Sequence, residues 1–214
     1  MKTGILFDLD GTLLNTLEDL LDATNYALSQ CGYPKRTLKE LRMFVGNGAQ
    51  NQIRMSLPAS ASPEEVSRVL GIYKPYYTAH CQIKTRPYDG VLAALEALRP
   101  DFPLAIVSNK PDAAVKQLCA DFFPGIYALG EAPGCPRKPA PDMLKRAMAA
   151  IGAERCIYVG DSEVDILTAG NAHVPCLSVL WGFRDRETLE SAGAQYLCPS
   201  PVLLPQMLRQ IAEI

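Results

Sequence analysis

The chain has no apolar run approaching the roughly 18 residues that cross a bilayer, and its first residues lack the long apolar core of a secretory leader. Blocks of like charge are missing as well. Formal net charge is −2 and the basic residues are spread rather than clustered, which argues against nucleic acid or an anionic membrane as a partner. No C-x-x-C pair occurs among the seven cysteines, an odd and widely scattered set. Neither a disulfide framework nor a zinc site is therefore expected. The thiols read as reduced and mostly buried, and the chain as cytoplasmic. Internal repeats and low-complexity segments are also lacking.

What remains is ordinary globular material. A chain of 214 residues that is 48% hydrophobic can bury a substantial core, as one domain or as one domain carrying a smaller insertion. Apolar runs too short for helices read as strands at residues 4–7, 103–107, 126–129, 156–159 and 176–180. From the second run onward, helical patterns at 90–98, 112–122, 142–151 and 164–172 alternate with them. That alternation predicts an α/β fold whose parallel sheet is covered on both faces. The interval between the first two strands breaks the rhythm and reads as helix with no strand. Thr16 is placed to N-cap a helix with apolar positions Leu17, Leu20, Leu21, Leu28 and Cys31 and a stop at Gly32, with Thr24 interrupting the stripe. Thr37 with Glu40, and Ser62 with Pro63 and Glu65, look like capping boxes, and Pro75 should end or kink the helix it falls in. Residues 15–83 thus read as a helical insertion over the sheet.

The chemistry-bearing residues stand where strands end. The stretch ILFDLDGTLLNT, residues 5–16, runs from an apolar strand straight into Asp8-x-Asp10-Gly11-Thr12. The second strand candidate is followed by Ser108-Asn109-Lys110, and the fourth by Gly160-Asp161-Ser162-Glu163-Val164-Asp165. The segment RKPAP places Lys138 before a helix near the same edge. In an open parallel sheet, ligands bind beyond the carboxyl ends of the strands, where strand order reverses. Several carboxylates gathered there would repel without a cation, and an oxygen-only ligand set favours Mg²⁺. With a lysine and a hydroxyl to hold an anion, the set describes phosphoryl transfer through a carboxylate nucleophile.

With these residues in place, the sequence resembles the haloacid dehalogenase-like phosphohydrolases along its whole length. The family's motifs occur in order: DLDGT at 8–12, Ser108, Lys138, and GDSEVD at 160–165. The resemblance implies a Rossmann-like core, residues 1–14 and 84–214, with a helical cap domain inserted at 15–83 after the first strand. It implies Asp8 as the nucleophile that forms an aspartyl-phosphate, and Asp10 as the acid for the leaving alcohol and then the base for water. Ser108 and Lys138 would hold the phosphoryl oxygens, while Gly11, Thr12 and Asn109 would lie against the phosphate, the N–H groups of Gly11 and Asn109 pointing at it. Mg²⁺ would be bound by the side chains of Asp8 and Asp161 and by the backbone carbonyl of Asp10. Asp165 would act through water or as a partner of a ligand.

Blander readings exist for each piece. Asp10-Gly11 is a strong hairpin-turn signal, Ser108-Asn109 could simply cap a helix, Lys138 could be solvated, and Asp161 with Asp165 could be an exposed first-turn pair. The helical pattern at 16–31 is not a returning strand, and the joint placement at one sheet edge favours the site. A phospho-accepting receiver module would be shorter and would carry its acceptor after the third strand, where this chain has GEAP. A haloacid dehalogenase would lack the acid at Asp10, and a silent binding protein stays as an alternative although no catalytic position in the set is damaged. For the substrate, FVGNGAQNQIR at 44–54 resembles the V-G-N-G-A of phosphoglycolate phosphatase caps. The turn Gly46-Asn47-Gly48, or Arg54, is the candidate reader of a distal carboxylate, although the bland reading is a glycine-rich turn. Asn15-Thr16 departs from the Asp-Ser more usual in those phosphatases. The expected substrate is a small phosphorylated acid such as 2-phosphoglycolate. Pyrophosphate, sugar phosphates, nucleotides and a β-phosphoglucomutase-like reaction remain as alternatives.

Overall fold

The structure, a computed structural model, describes residues 2–213. In chain order its elements are β1 (Thr3–Phe7), β2 (Leu14–Asn15), α1 (Leu17–Gln30), α2 (Leu38–Phe44), α3 (Gly48–Ser56), α4 (Pro63–His80), β3 (Arg86–Pro87) and α5 (Val91–Leu98). There follow β4 (Leu104–Pro111), α6 (Asp112–Phe122), β5 (Tyr127–Glu131), α7 (Asp142–Ala150), β6 (Arg155–Gly160), α8 (Glu163–Ala172), β7 (Cys176–Val179), α9 (Arg186–Ser191), β8 (Tyr196–Cys198) and α10 (Leu204–Ala212). The main sheet has the order β5-β4-β1-β6-β7-β8 and every pairing in it is parallel.

Strand β1 is central, and the chain moves outward on one side through β4 and β5 before crossing to β6. The reversal point therefore lies at the carboxyl end of β1. Side-chain alternation divides the core between the two faces. Ile5 and Phe7 join the larger apolar cluster, which continues into the helices between β1 and α5. Leu6 points the other way, with Ala105, Val107, Cys156 and Tyr158, against Met143, Leu144 and Ala147 of α7. All seven cysteines are unpaired, and five of them are buried. No helix among the described residues is long and apolar enough to cross a membrane.

Several boundaries differ from the sequence expectation for physical reasons. Strand β4 runs on to Pro111 because its backbone stays extended through Ser108-Asn109-Lys110, all three buried under the helices. The interval read as strand-free contains a two-residue antiparallel ribbon, Leu14 opposite Pro87 and Asn15 opposite Arg86, where the chain leaves the sheet and returns. Edge strand β8 and helices α9 and α10 lay beyond the last pattern read from the sequence; three residues of β8 are too few to show alternation. Both capping boxes form, Thr37 with Glu40 and Ser62 with Glu65. Thr16 occupies the N-cap position of α1 but makes no side-chain cap, because its hydroxyl is bonded to Asp10 instead. Thr24, which interrupts the apolar stripe, is buried and satisfied: its Oγ1 donates to the Leu20 carbonyl at 2.7 Å and accepts from Gln52 Nε2 at 2.9 Å.

Pro75 neither ends nor interrupts α4, which is continuous from Pro63 to His80. Proline removes the bond to the carbonyl four residues back, here Gly71. Both residues lie on the exposed face, where water can take that carbonyl, while Val66, Val69, Tyr73 and Tyr77 on the other face hold the helix down. Restoring the bond should help: Pro75→Ala is expected to stabilise the fold by about 1–3 kcal/mol, read as a rise in Tm. A lower Tm for that variant would contradict the continuous helix.

Candidate active site

The ends of β1, β4 and β6 bring Asp8, Asp10, Ser108, Asp161 and Asp165 together as the sequence pattern expects, and Lys138, from the segment between β5 and α7, reaches into the group. Asp8 follows β1 directly, its N–H donating to the Val159 carbonyl at 2.8 Å. The turn after it closes with the N–H groups of Leu13 and Leu14 on the Leu9 carbonyl, so no hairpin forms and α1 follows. Gly11 in that turn has φ +84°. A Cβ there would stand 2.2 Å from Asp161 Oδ2, and one at Gly182 would stand 2.3 Å from Asp161 Cβ. The two glycines let Asp161 lie between their backbones.

Lys138 is fully engaged. Its Nζ donates to Asp8 Oδ1, to Asp165 Oδ1 and to the Tyr158 hydroxyl, each at 2.8 Å. Burial works to lower its pKa, but the charges of Asp165 and Asp8 outweigh that and hold it above the usual value. Asp165 is saturated: Oδ1 accepts from Lys138 and Tyr158, and Oδ2 from the N–H groups of Asp161 and Ser162 and the Ser162 hydroxyl. Burial alone would raise Asp165, yet Lys138 and these donors pull it below the usual carboxylate range. Asp8 goes the other way. Burial, which Lys138 only partly offsets, together with the neighbouring Asp165 and Asp10 charges, pushes it up to about 7. Asp161 is raised well above the usual range by burial and by the charges of Asp165 and Asp8.

Asp10 has its own partners. Thr16 donates to Oδ1, the Lys110 ammonium lies 2.8 Å from the same oxygen, and the Ser108 hydroxyl is 3.4 Å from Oδ2. The sequence reading names Lys110 beside Ser108 but gives it no role. A lysine at a strand end looks solvated until α4 is known to cover it. Its side chain is only 3% exposed, and its Nζ donates to the Tyr77 hydroxyl and lies 4.4 Å from the Tyr77 ring centroid.

Other expected contacts are rearranged. The Gly11 N–H is taken by the Leu14 carbonyl at 2.9 Å, so it does not face a phosphate. Thr12 is completely buried with its hydroxyl unpartnered, and its carbonyl accepts from Trp181 Nε1. The Asn109 side chain acts as a strut: its Oδ1 accepts from the Lys138 N–H at 2.8 Å, and its Nδ2 donates to the carbonyls of Lys138 and Gly46. Gly46 and Gly48 line the cavity above Asp8 and Asp10, but Asn47 is exposed and does not. Arg54 is also excluded from that cavity. Ala49 and Gln52 take the inward positions of α3, and two residues further round the helix Arg54 faces a separate cleft with Arg137.

The loop after β7 was missed altogether. Phe183 donates its N–H to Asp161 Oδ2 at 2.7 Å. Arg42 of α2 donates to the carbonyls of Gly182 and Phe183, and Arg184 donates back to those of Arg42 and Val45 while pairing with Glu163. A further tie sits at the crossing point: buried Asp19 of α1 accepts from the N–H groups of Lys84 and Thr85. The only signal was Arg184, four residues past the expected fifth strand, in a fold where strand ends matter.

Residues 5–179 match the family described as haloacid dehalogenase-like hydrolase. The chain belongs to this family. Among its relatives, a phosphoglycolate phosphatase of Cereibacter sphaeroides is 34% identical, the match covering 85% of this chain and 86% of that one. A phosphoglycolate phosphatase of Xanthomonas campestris is 36% identical over 85% and 84% of the two chains. A crystal structure from Lactobacillus delbrueckii subsp. bulgaricus, provisionally named a phosphoglycolate phosphatase, superposes with a TM-score of 0.91 at 38% identity, covering 97% and 99%. Haloacid dehalogenase-like phosphatases generally use a divalent metal.

The residues present fit such an ion. Carboxylate oxygens of Asp8, Asp161 and Asp165 lie within 4.8 Å of one another. Among the described residues nothing bonds Asp8 Oδ2 or Asp161 Oδ1, whereas Asp165 has no oxygen to spare. Four carboxylates against the two ammonium groups of Lys110 and Lys138 leave two negative charges, which one divalent cation balances. This has a consequence for stability. The folded pKa of Asp8, about 7, lies above its ordinary 3.8, so stability is full below about pH 3.8 and is lost as pH rises through about 7. In chelator the Tm should fall between about pH 5 and pH 8, by about 2–4 °C for each 1 kcal/mol lost. Added Mg²⁺ should restore more of it at the higher pH. A flat or rising Tm in chelator would contradict the assignment.

Proposed function

We propose that this phosphatase cleaves phosphate monoesters of small metabolites by covalent attack from Asp8, with Mg²⁺ as its metal. The observation that carries the reading is the asymmetry at Asp8, a residue that lines the cavity: Oδ1 is fixed by Lys138, and Oδ2 has no bonded partner among the described residues. In that arrangement Asp8 attacks phosphorus, the P–O bond to the leaving alcohol breaks, and a water then hydrolyses the aspartyl-phosphate. Asp10, two residues further on, gives its proton to the departing oxygen and takes one from the water. Thr16, Ser108 and Lys110 orient it. Ser108 and Lys138 bind the phosphoryl oxygens, Lys138 turning from its present carboxylate partners toward them. Asp8 and Asp161, with the Asp10 carbonyl, would hold Mg²⁺, which would supply charge neutralisation for the phosphoryl group. Asp165 orients Lys138 and the backbone of Asp161 without binding the ion itself.

The helices from Leu17 to His80 act as a cap, with domain bounds at 15–83 and a core of 1–14 and 84–214. The β2–β3 ribbon, where the chain crosses twice, is the hinge. The Arg42 and Arg184 bonds hold the cap against the core in the closed arrangement. The names of the relatives support a small phosphorylated acid, 2-phosphoglycolate, as the substrate. Free thiols, a net charge of −2 and the absence of a long apolar helix among the described residues support a cytoplasmic enzyme with no nucleic-acid or membrane partner.

Phosphate release from 2-phosphoglycolate and p-nitrophenyl phosphate tests the reading. Activity should require Mg²⁺ and stop in EDTA. Asp8→Asn should lower kcat by at least about three powers of ten, because it removes both nucleophile and metal ligand. A variant that kept a tenth of wild-type kcat would mean that another group attacks.

A further inference from the structure

The cavity between cap and core is small, about 30 Å³, room for about two waters. Its floor is the catalytic carboxylates, and its side walls include the apolar Leu20, Val45 and Ala49. Among the remaining lining, Gln52, Ser108 and Asn109 already spend their side-chain donors on protein acceptors, whereas Lys110, Tyr73 and Tyr77 keep donors unspent. Lys110 uses two of its three N–H bonds, on Asp10 and Tyr77; the third has no partner among the described residues. The Tyr77 hydroxyl accepts from Lys110, and the Tyr73 hydroxyl accepts from Gln52 Nε2 at 3.3 Å, but neither donates its own hydrogen to any described group. Lys110, Tyr73 and Tyr77 are all buried, at 6%, 1% and 1% exposure. Burial raises both tyrosines, keeping them protonated donors. Buried donors without acceptors are costly, and a bound anion satisfies several at once.

From this we infer that Lys110, with the hydroxyls of Tyr77 and Tyr73, is the specificity-determining site for a carboxylate on the leaving group. The substrate class is then short phosphorylated acids whose carboxylate lies within a few bonds of the ester oxygen. The inference rests on the reading of the chain as a phosphomonoesterase acting through Asp8. It moves recognition of the acid from the glycine turn at 46–48 and from Arg54 to a cation on the core. A cation there does two things: it holds Asp10 and draws the acid group of the alcohol that Asp10 must protonate.

Lys110→Met separates these roles. The comparison is kcat/KM for 2-phosphoglycolate against ethyl phosphate, which has the same two-carbon frame without the carboxylate. Misplacing Asp10 lowers both values together. Loss of the carboxylate contact should lower the 2-phosphoglycolate value by a further factor of roughly 10 to 150. Competitive inhibition by glycolate should weaken by a similar factor while inhibition by inorganic phosphate is retained, a binding readout that does not depend on turnover. Tyr77→Phe, which keeps the ring packing, should show the same selective loss on a smaller scale and carries the test if Lys110→Met does not fold. Equal losses on both substrates, with glycolate inhibition unchanged, overturn the inference and leave the phosphatase reading intact. A wild-type protein that hydrolyses neither ester overturns the phosphatase reading instead.

Discussion

Like charges packed at the end of one strand govern this structure. Two carboxylates about 4 Å apart repel by about 4 kcal/mol even at an effective dielectric near 20. Asp8, Asp10, Asp161 and Asp165 meet at the carboxyl end of β1, and the surrounding fold is arranged to make that tolerable. Lys138 spans Asp8 and Asp165, Lys110 sits on Asp10, and Asp165 collects five donors. What is left without a bonded partner among the described residues is one oxygen of Asp8 and one of Asp161, and the proposed mechanism puts its cation and phosphate there. The sheet order puts this charge at the reversal point, where the crossover helices diverge and a ligand can approach.

The same site ties the two parts of the chain together. Asp161 is held by the Phe183 N–H, and the carbonyls of Gly182 and Phe183 receive Arg42 from α2. Asn109, which fixes Lys138, also reaches the Gly46 carbonyl. In the proposed mechanism these bonds would couple closure of the helical segment to assembly of the site, because they end on the loops that carry Asp161 and Lys138.

The parts legible in the sequence were those with a local signature. Apolar runs ending in Asp8-x-Asp10, in Ser108 and in Asp161 give both strand positions and the shared edge, because parallel strands place their carboxyl ends together. Capping boxes at Thr37 and Ser62 are likewise local. The illegible parts depend on what covers what. Lys110 becomes a buried cation only because α4 lays Tyr77 over it, and Asp19 a buried acceptor only because the chain returns at Lys84. Arg184 bonds residues about 140 positions away, a separation no periodicity encodes. Pro75 does not end its helix for the complementary reason: tertiary burial of one helix face outweighs a local break on the other.

The central claim is that Asp8 takes the phosphoryl group. Acid-quenching the enzyme during turnover of a monoester in Mg²⁺, followed by peptide mapping by mass spectrometry, reads it directly. The account predicts one phosphoryl group, on the peptide carrying Asp8, which appears within the first turnover and decays as substrate is exhausted. Turnover with no phosphorylated peptide at any quench time, or with the label on another residue, would contradict it.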